Sequence, residues 1–192
     1  MTLVGHLILV LLREQNRQRI QIEKDSLTGL YSRDYAINKI NLLCKAEKNF
    51  SIVFIDLNKF KAINDNYGHQ AGDQVLIYTA RNFQACLEKI GEVGRIGGDE
   101  FIWVIPHADQ REISYHYNQL LQNLRLPFQF GDKQLPISLS AGAVEAVACN
   151  YNSTKMLECG DAAMYLAKSA HSTTIVWHGE IHQHHPIPAA MG

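Results

Sequence analysis

Several protein classes are excluded by what this sequence lacks. It has no dense basic run, and its 18 Lys and Arg stand against 19 Asp and Glu for a net charge of −1, which argues against a nucleic-acid surface. Its four cysteines, Cys44, Cys86, Cys149 and Cys159, share no short spacing. Neither a zinc knuckle nor a disulfide framework is therefore indicated, and free thiols in a reducing cytoplasm are expected. The opening apolar stretch, residues 3–12, is too short for a membrane span, which needs roughly 20 such residues. With no basic leader and no small-residue cleavage site, it is not read as a secretory signal. What remains is a globular composition, 46% hydrophobic and 19% charged, on 192 residues. That length suits one domain with a real core plus an extra helix or tail.

Residues 13–24 are polar and free of Gly and Pro, with Ile20 and Ile22 the apolar exceptions. Residues 1–24 thus read as one lead-in helix. It is either the cytoplasmic end of a membrane segment or a helix that pairs with a second copy of itself. At the other end, residues 179–192 contain Pro and the cluster His182, His184 and His185. Such a cluster can bind metal, but a loose terminus explains it more simply.

The centre of the chain is residues 93–106. Gly97 and Gly98 stand between apolar runs, a hairpin signal, and Phe101 to Ile105 is apolar at every position, as in a strand buried on both faces. Asp99 and Glu100 sit at the mouth of that strand. Two adjacent acids resist desolvation unless a cation or a donor compensates them. Alone, the pair reads as an acidic turn in water.

In chain order, residues 25–30 form a capped turn. A helix follows with Ile37, Ile40 and Leu43 on one face. A second doubly buried strand, residues 51–57, contains Asp56 near its end. Residues 58–73 are polar and Gly-punctuated, expected to be a loop or helical turn. Helices are expected over about 74–87 and 111–124. Residues 129–130 and 135–147 read as strands around a turn at Gly131 and Asp132. A small-residue helix over 153–170 and a closing strand over 173–177 complete the pattern. Helices alternating with strands around a central hairpin predict an α+β fold. A mostly antiparallel or mixed sheet would be flanked by helices in a ferredoxin-like βαβ-βαβ arrangement.

If the strands ending in Asp56 and opening at Asp99 are adjacent, about 4.8 Å apart, their acids converge at one sheet edge. Oxygen ligands without Cys or His spacing favour Mg²⁺ or Mn²⁺ over zinc, held by one or two carboxylates plus substrate phosphates. Lys61 could hold phosphate oxygens, while Asn64 and Asp73 could match a guanine edge. Singly, Lys61 reads equally as a solvated lysine, Asn64 as a turn former and Asp73 as a helix N-terminal acid.

Together these stretches resemble the GGDEF domain of bacterial diguanylate cyclases over about residues 25–177. The resemblance rests on four ordered motifs: Asp25 to Leu30, Asp56 to Asp73 (with its Gly68-His69 pair), Arg95 to Phe101, and Asp161 to Lys168. It implies a nucleotide-cyclase palm over residues 25–178 and condensation of two GTP into cyclic di-GMP by a homodimer whose two sites face each other. By that resemblance Asp56, the Leu57 carbonyl and Asp99 hold Mg²⁺ or Mn²⁺. Asp99, with Glu100, assists deprotonation of the attacking 3′-hydroxyl. Gly97 and Gly98 let backbone approach the phosphates, and Lys61 and Lys168 offset phosphate charge. Asn64 and Asp73 read guanine, with His69 beside them in the substrate-binding motif, and Asp25 pairs with Arg95. A cytoplasmic location follows, with a possible upstream sensor or membrane region.

Three departures stand out. His171, Ser172 and Thr173 occupy positions where the family usually has Gly-Arg-Asn, so a phosphate-binding arginine is missing. Asn58 replaces the commoner Asp. Glu88 and Gly91 stand where an inhibitory product site would need Arg and Asp, so feedback by that route is not expected. The missing arginine keeps a second reading open, a GTP-binding or dimerisation module without turnover.

Overall fold

The computed structural model describes residues 23–107 and 109–180. The expected lead-in helix and tail fall almost wholly outside the described residues. Among the described residues no helix is long and apolar enough to cross a membrane.

A five-stranded sheet organises the domain, in the order β2-β3-β1-β6-β7. Its strands are β1 (Phe50–Leu57), β2 (Glu92–Arg95), β3 (Glu100–Pro106), β6 (Leu139–Glu145) and β7 (Val176–Trp177); β4 (Phe128–Phe130) and β5 (Lys133–Leu135) form a separate hairpin. Strand β1 is buried at every position because it lies between β3 and β6, antiparallel to both. Without β7, which adds parallel to β6, the first four strands have the ferredoxin-like order. The predicted α+β class and mostly antiparallel sheet therefore hold.

Helices cover both faces, as the unbroken apolar runs of β1 and β3 require. Val53, Ile55, Leu57, Phe101 and Trp103 pack in one cluster with Val75, Phe83, Ile113 and Tyr117. The last four come from α3 (His69–Cys86) and α4 (Gln110–Asn123). On the opposite face Ile52, Phe54, Ile102 and Val144 pack against Ala36, Ile40, Met156 and Met164. Those belong to α1 (Arg33–Lys45) and α5 (Ser153–Ser169).

Local departures from the expected elements have physical causes. Of the two forms expected for the polar stretch 58–73, loop or helical turn, the helical one is found: it makes α2 (Phe60–Tyr67) and the first turn of α3, with a break at Gly68, whose φ is 83°. Ile63 is the one buried residue of α2, and Phe60 three positions earlier packs partly buried against the core, a stripe too short to fix the helix from sequence. The buried face of α1 is Ala36, Ile40 and Cys44, one position off the expected Ile37 and Leu43. The single strand expected over 135–147 is divided, with Pro136 following β5, β6 starting at Leu139, and a 3₁₀ turn, Ala146–Cys149, following β6. The closing strand shrinks to two residues.

Two glycines seat α5 on the sheet. A Cβ on Gly142 of β6 would fall on the backbone of Ala163 and Met164, and one on Gly160 would lie 2.7 Å from Phe54 Cδ2. With no side chains in the way, α5 lies directly on β1 and β6, and its last turn reaches the C-terminal end of β1.

Candidate active site

The β1–β3 register sets Asp56 directly opposite Glu100. The next step along the ladder is a hydrogen bond from the Leu57 N–H to the Asp99 carbonyl, 3.1 Å. The end of one buried strand and the start of its neighbour thus bring Asp56, Leu57, Asp99 and Glu100 together, as the sequence pattern predicts. The period-2 alternation of strands places Asp56 and Glu100 on the face covered by α5.

The β2–β3 hairpin that carries Asp99 is tied down from behind. Ile96 and Gly97 donate to the Glu100 carbonyl at 2.9 and 3.3 Å. Arg33 Nη1 donates to the Ile96 carbonyl at 3.3 Å, and Arg95 donates through Nε to Gly97 at 3.2 Å and through Nη2 to Gly98 at 2.8 Å. Three successive carbonyls are therefore drawn toward two guanidiniums. Arg95 is in turn held by Asp25 at 3.2 Å. Burial by itself would raise the Asp25 carboxyl, but hydrogen bonds from Thr28 (2.9 Å from N–H, 2.6 Å from Oγ1) and from Arg95 outweigh it and hold the group below its usual range. At the tip, Gly98 faces open space, whereas the space beside Gly97 is taken by Glu100, whose Oε2 would sit 2.6 Å from an added Cβ.

Charge in the cleft is unbalanced. Burial raises the Asp56 carboxyl; Asp99 adds to this and Lys168 opposes it. Glu100 is raised first by burial and then by Asp56, Asp99 and Asp161. Lys168 supplies the compensating charge: its Nζ lies 2.7 Å from Asp56 Oδ1, and the contact with Asp56 raises its own pKa. Apart from this ion pair, Asp56 Oδ1 is buried without a hydrogen-bond partner. Asp56, Glu100, Asp161, Tyr165 and Lys168 line an open cleft of about 530 Å³. Asp161 opens the last of the four sequence motifs, which by itself assigns it no role. Its spacing of seven residues from Lys168, two helical turns, is the signal that puts both on one stripe of α5.

The remaining candidates sit on α2 and α3. Asn64 is half-buried, with its Oδ1 over Gly72, where a Cβ would collide with it; Asp73 follows immediately and is exposed. The α2–α3 break therefore brings Asn64 beside the Gly72-Asp73 step. Lys61 and His69 are exposed. At the end of α5, His171 takes the left-handed φ of 51° where the family has glycine. Ser172 Oγ donates to the Thr174 carbonyl at 3.0 Å and accepts from its N–H at 3.2 Å, so its short side chain is engaged locally.

Among the described residues no three His, Cys, Asp or Glu side chains form a ready metal cage. The donor set nevertheless fits a hard divalent ion that brings further oxygens with it, since Asp56 presents a buried carboxylate oxygen met by the Lys168 ammonium and by no backbone N–H, beside Asp99 and Glu100.

A helix-flanked antiparallel sheet in this strand order, with acids on adjacent strand ends, is the palm of nucleotide cyclases. The sequence matches the family described as "Diguanylate cyclase, GGDEF domain" over residues 22–174. This chain belongs to the GGDEF domain family. It is 35% identical over 179 residues to the diguanylate cyclase DgcP of Escherichia coli (strain K12), covering 89% of this chain and 52% of that protein. It is also 35% identical over 163 residues to the cyclic di-GMP phosphodiesterase PdeR of the same organism, covering 81% of this chain and 24% of that protein. The chain thus spans about half of one relative and about a quarter of the other. In fold it resembles the coiled coil and GGDEF domain of DgcB from Caulobacter crescentus, solved with c-di-GMP, with a TM-score of 0.80 at 22% identity over 90% of this chain and 95% of that one. The isolated GGDEF domain of YfiN (TpbB) from Pseudomonas aeruginosa gives a TM-score of 0.72 at 27% identity, over 83% of this chain and 99% of that one.

Proposed function

We propose that this domain is a diguanylate cyclase that joins two GTP into cyclic di-GMP, each of two facing protomers holding one GTP. The observation that carries this reading is the cross-strand meeting of Asp56 and Leu57 with Asp99 and Glu100. Asp56, the Leu57 carbonyl and Asp99 would hold Mg²⁺ or Mn²⁺. The ion, when bound, supplies charge stabilisation at the attacking and leaving oxygens. Asn64 and Asp73 orient the guanine through its N–H groups, with His69 at the edge of that subsite. Gly98, free of a side chain at the hairpin tip, leaves room for phosphate oxygens, and Gly97 keeps Glu100 folded close. The Asp99 and Glu100 carboxylates take the proton from the 3′-hydroxyl as its oxygen attacks the α-phosphorus of the partner's GTP. Diphosphate leaves with its charge offset by Lys61 and Lys168. The reaction occurs twice, once per protomer, and little covalent chemistry is left to the protein. The domain would act in the cytoplasm, under control of a sensor or membrane segment upstream.

Incubation of the protein with GTP and Mg²⁺ across protein concentrations tests this, with cyclic di-GMP as the readout. Product formation rising with the square of protein concentration is the expected result. GTP binding with no product at high protein concentration would instead favour the module without turnover. Ser172, with its hydroxyl engaged at Thr174 and no guanidinium to offer, is the observation behind that second reading.

A further inference from the structure

We propose that Lys168 is a built-in counter-cation that a divalent ion must displace from Asp56, so that the domain binds bare metal poorly and binds metal well only when a triphosphate arrives with it. The inference rests on the reading of Asp56 as a metal ligand and concerns what occupies that carboxylate beforehand. The Asp56 side chain is 5% exposed and that of Lys168 is 46% exposed. The acid is therefore fixed in the sheet, while the ammonium sits on a long stem at the rim and is free to move. No other ion pair reaches Asp56 among the described residues. Gly142 and Gly160 seat α5 against β6 and Phe54, so the backbone of Lys168 stays in place and only its side chain has to swing.

A buried carboxylate needs a cation, and here it already has one at 2.7 Å. A Mg²⁺ ion sits about 2.0–2.1 Å from its oxygens. Sharing Asp56 between ion and ammonium would hold two like charges within about 4 Å in a partly desolvated cleft, where repulsion is several-fold stronger than in water. The ammonium must leave, and it leaves easily only if another anion receives it. The triphosphate is that anion. Glu100 and Asp161, which face the same cleft, keep the local field negative but are not paired with Lys168.

The test is Mn²⁺ binding to the full chain, followed by electron paramagnetic resonance, with and without a non-hydrolysable GTP analogue. In wild type, bare Mn²⁺ should bind weakly. Lys168→Met should tighten bare Mn²⁺ by roughly tenfold, the scale of one charge-assisted contact removed. The same variant should leave Mn²⁺–nucleotide binding unchanged or weaker, because the receiving contact is also lost. Lys168→Arg keeps the charge and should keep the weak bare-metal affinity. Asp56→Asn, in either background, should abolish the gain. A purely structural role for Lys168 would move both affinities in the same direction. If Lys168→Met, folded by circular dichroism, binds bare Mn²⁺ no more tightly than wild type or Lys168→Arg, the counter-cation inference is overturned. If wild type fails to bind Mn²⁺ even with the nucleotide, the cyclase reading falls as well, and the two failures are thereby told apart.

Discussion

Glu100→Gln should make the metal-free domain more stable at neutral pH, although it removes a member of the proposed active site. Glu100 faces Asp56 across the β1–β3 ladder, and Asp99 and Asp161 add to the same negative field. Burial and these neighbours raise its carboxyl above the ordinary value of 4.5. A carboxyl raised in the folded state binds its proton more tightly there than in the unfolded chain. Stability from this group is then highest in acid and falls as pH rises from below 4.5 through the raised folded value. Above that window the folded protein carries the full cost of the charge, and glutamine removes it. Like charges placed directly opposite in a sheet cost on the order of 0.2–1 kcal/mol, and Lys168 on Asp56 keeps the figure within that range. At about 1 kcal/mol, a domain of this size would gain about 2–4 °C in Tm. Thermal melts in EDTA, run at neutral pH and again below 4.5, measure this: the gain should appear at the first and vanish at the second. A lower Tm for the variant at neutral pH, or a gain that persists undiminished in acid, would refute the electrostatic argument.

Other substitutions test separate links. Asp99→Ala should abolish turnover while changing unfolding free energy by no more than about 0.5 kcal/mol, since the residue contributes to the ladder through its backbone; activity near wild type would contradict its proposed metal role. Asp73→Ala, on the exposed start of α3, should erode the preference for GTP over ATP more than it alters stability, and competition assays that show an unchanged preference would count against guanine reading. Ser172→Arg places a guanidinium just past the end of α5, four residues after Lys168, and should lower the apparent KM for GTP by roughly tenfold, in line with one charge-assisted phosphate contact; steady-state kinetics with no change would show that the position does not face the phosphates. Gly142→Ala forces a methyl onto the backbone of Ala163 and Met164 and should cost about 1–3 kcal/mol in urea unfolding, and reduced activity should accompany it as α5 lifts from the sheet. A neutral result there would mean that the helix has slack at its seat.

The sequence by itself determined the strands and the chemistry held at their ends. Residues 51–57 and 101–105 read as doubly buried because an unbroken apolar run can be satisfied only between two covering layers, and the acids stand out against such runs. It left α2 open between a loop and a helical turn, because the stripe of Phe60 and Ile63 is too short to decide. Nor did it disclose the pairing of Lys168 with Asp56, since local pattern reports whether a residue is buried and not which distant residue it meets. That meeting depended on the β1–β3 register and on α5 settling against side-chain-free positions at Gly142 and Gly160. Only packing in three dimensions could turn acids scattered along the chain, and one lysine far from most of them, into a single charged cleft.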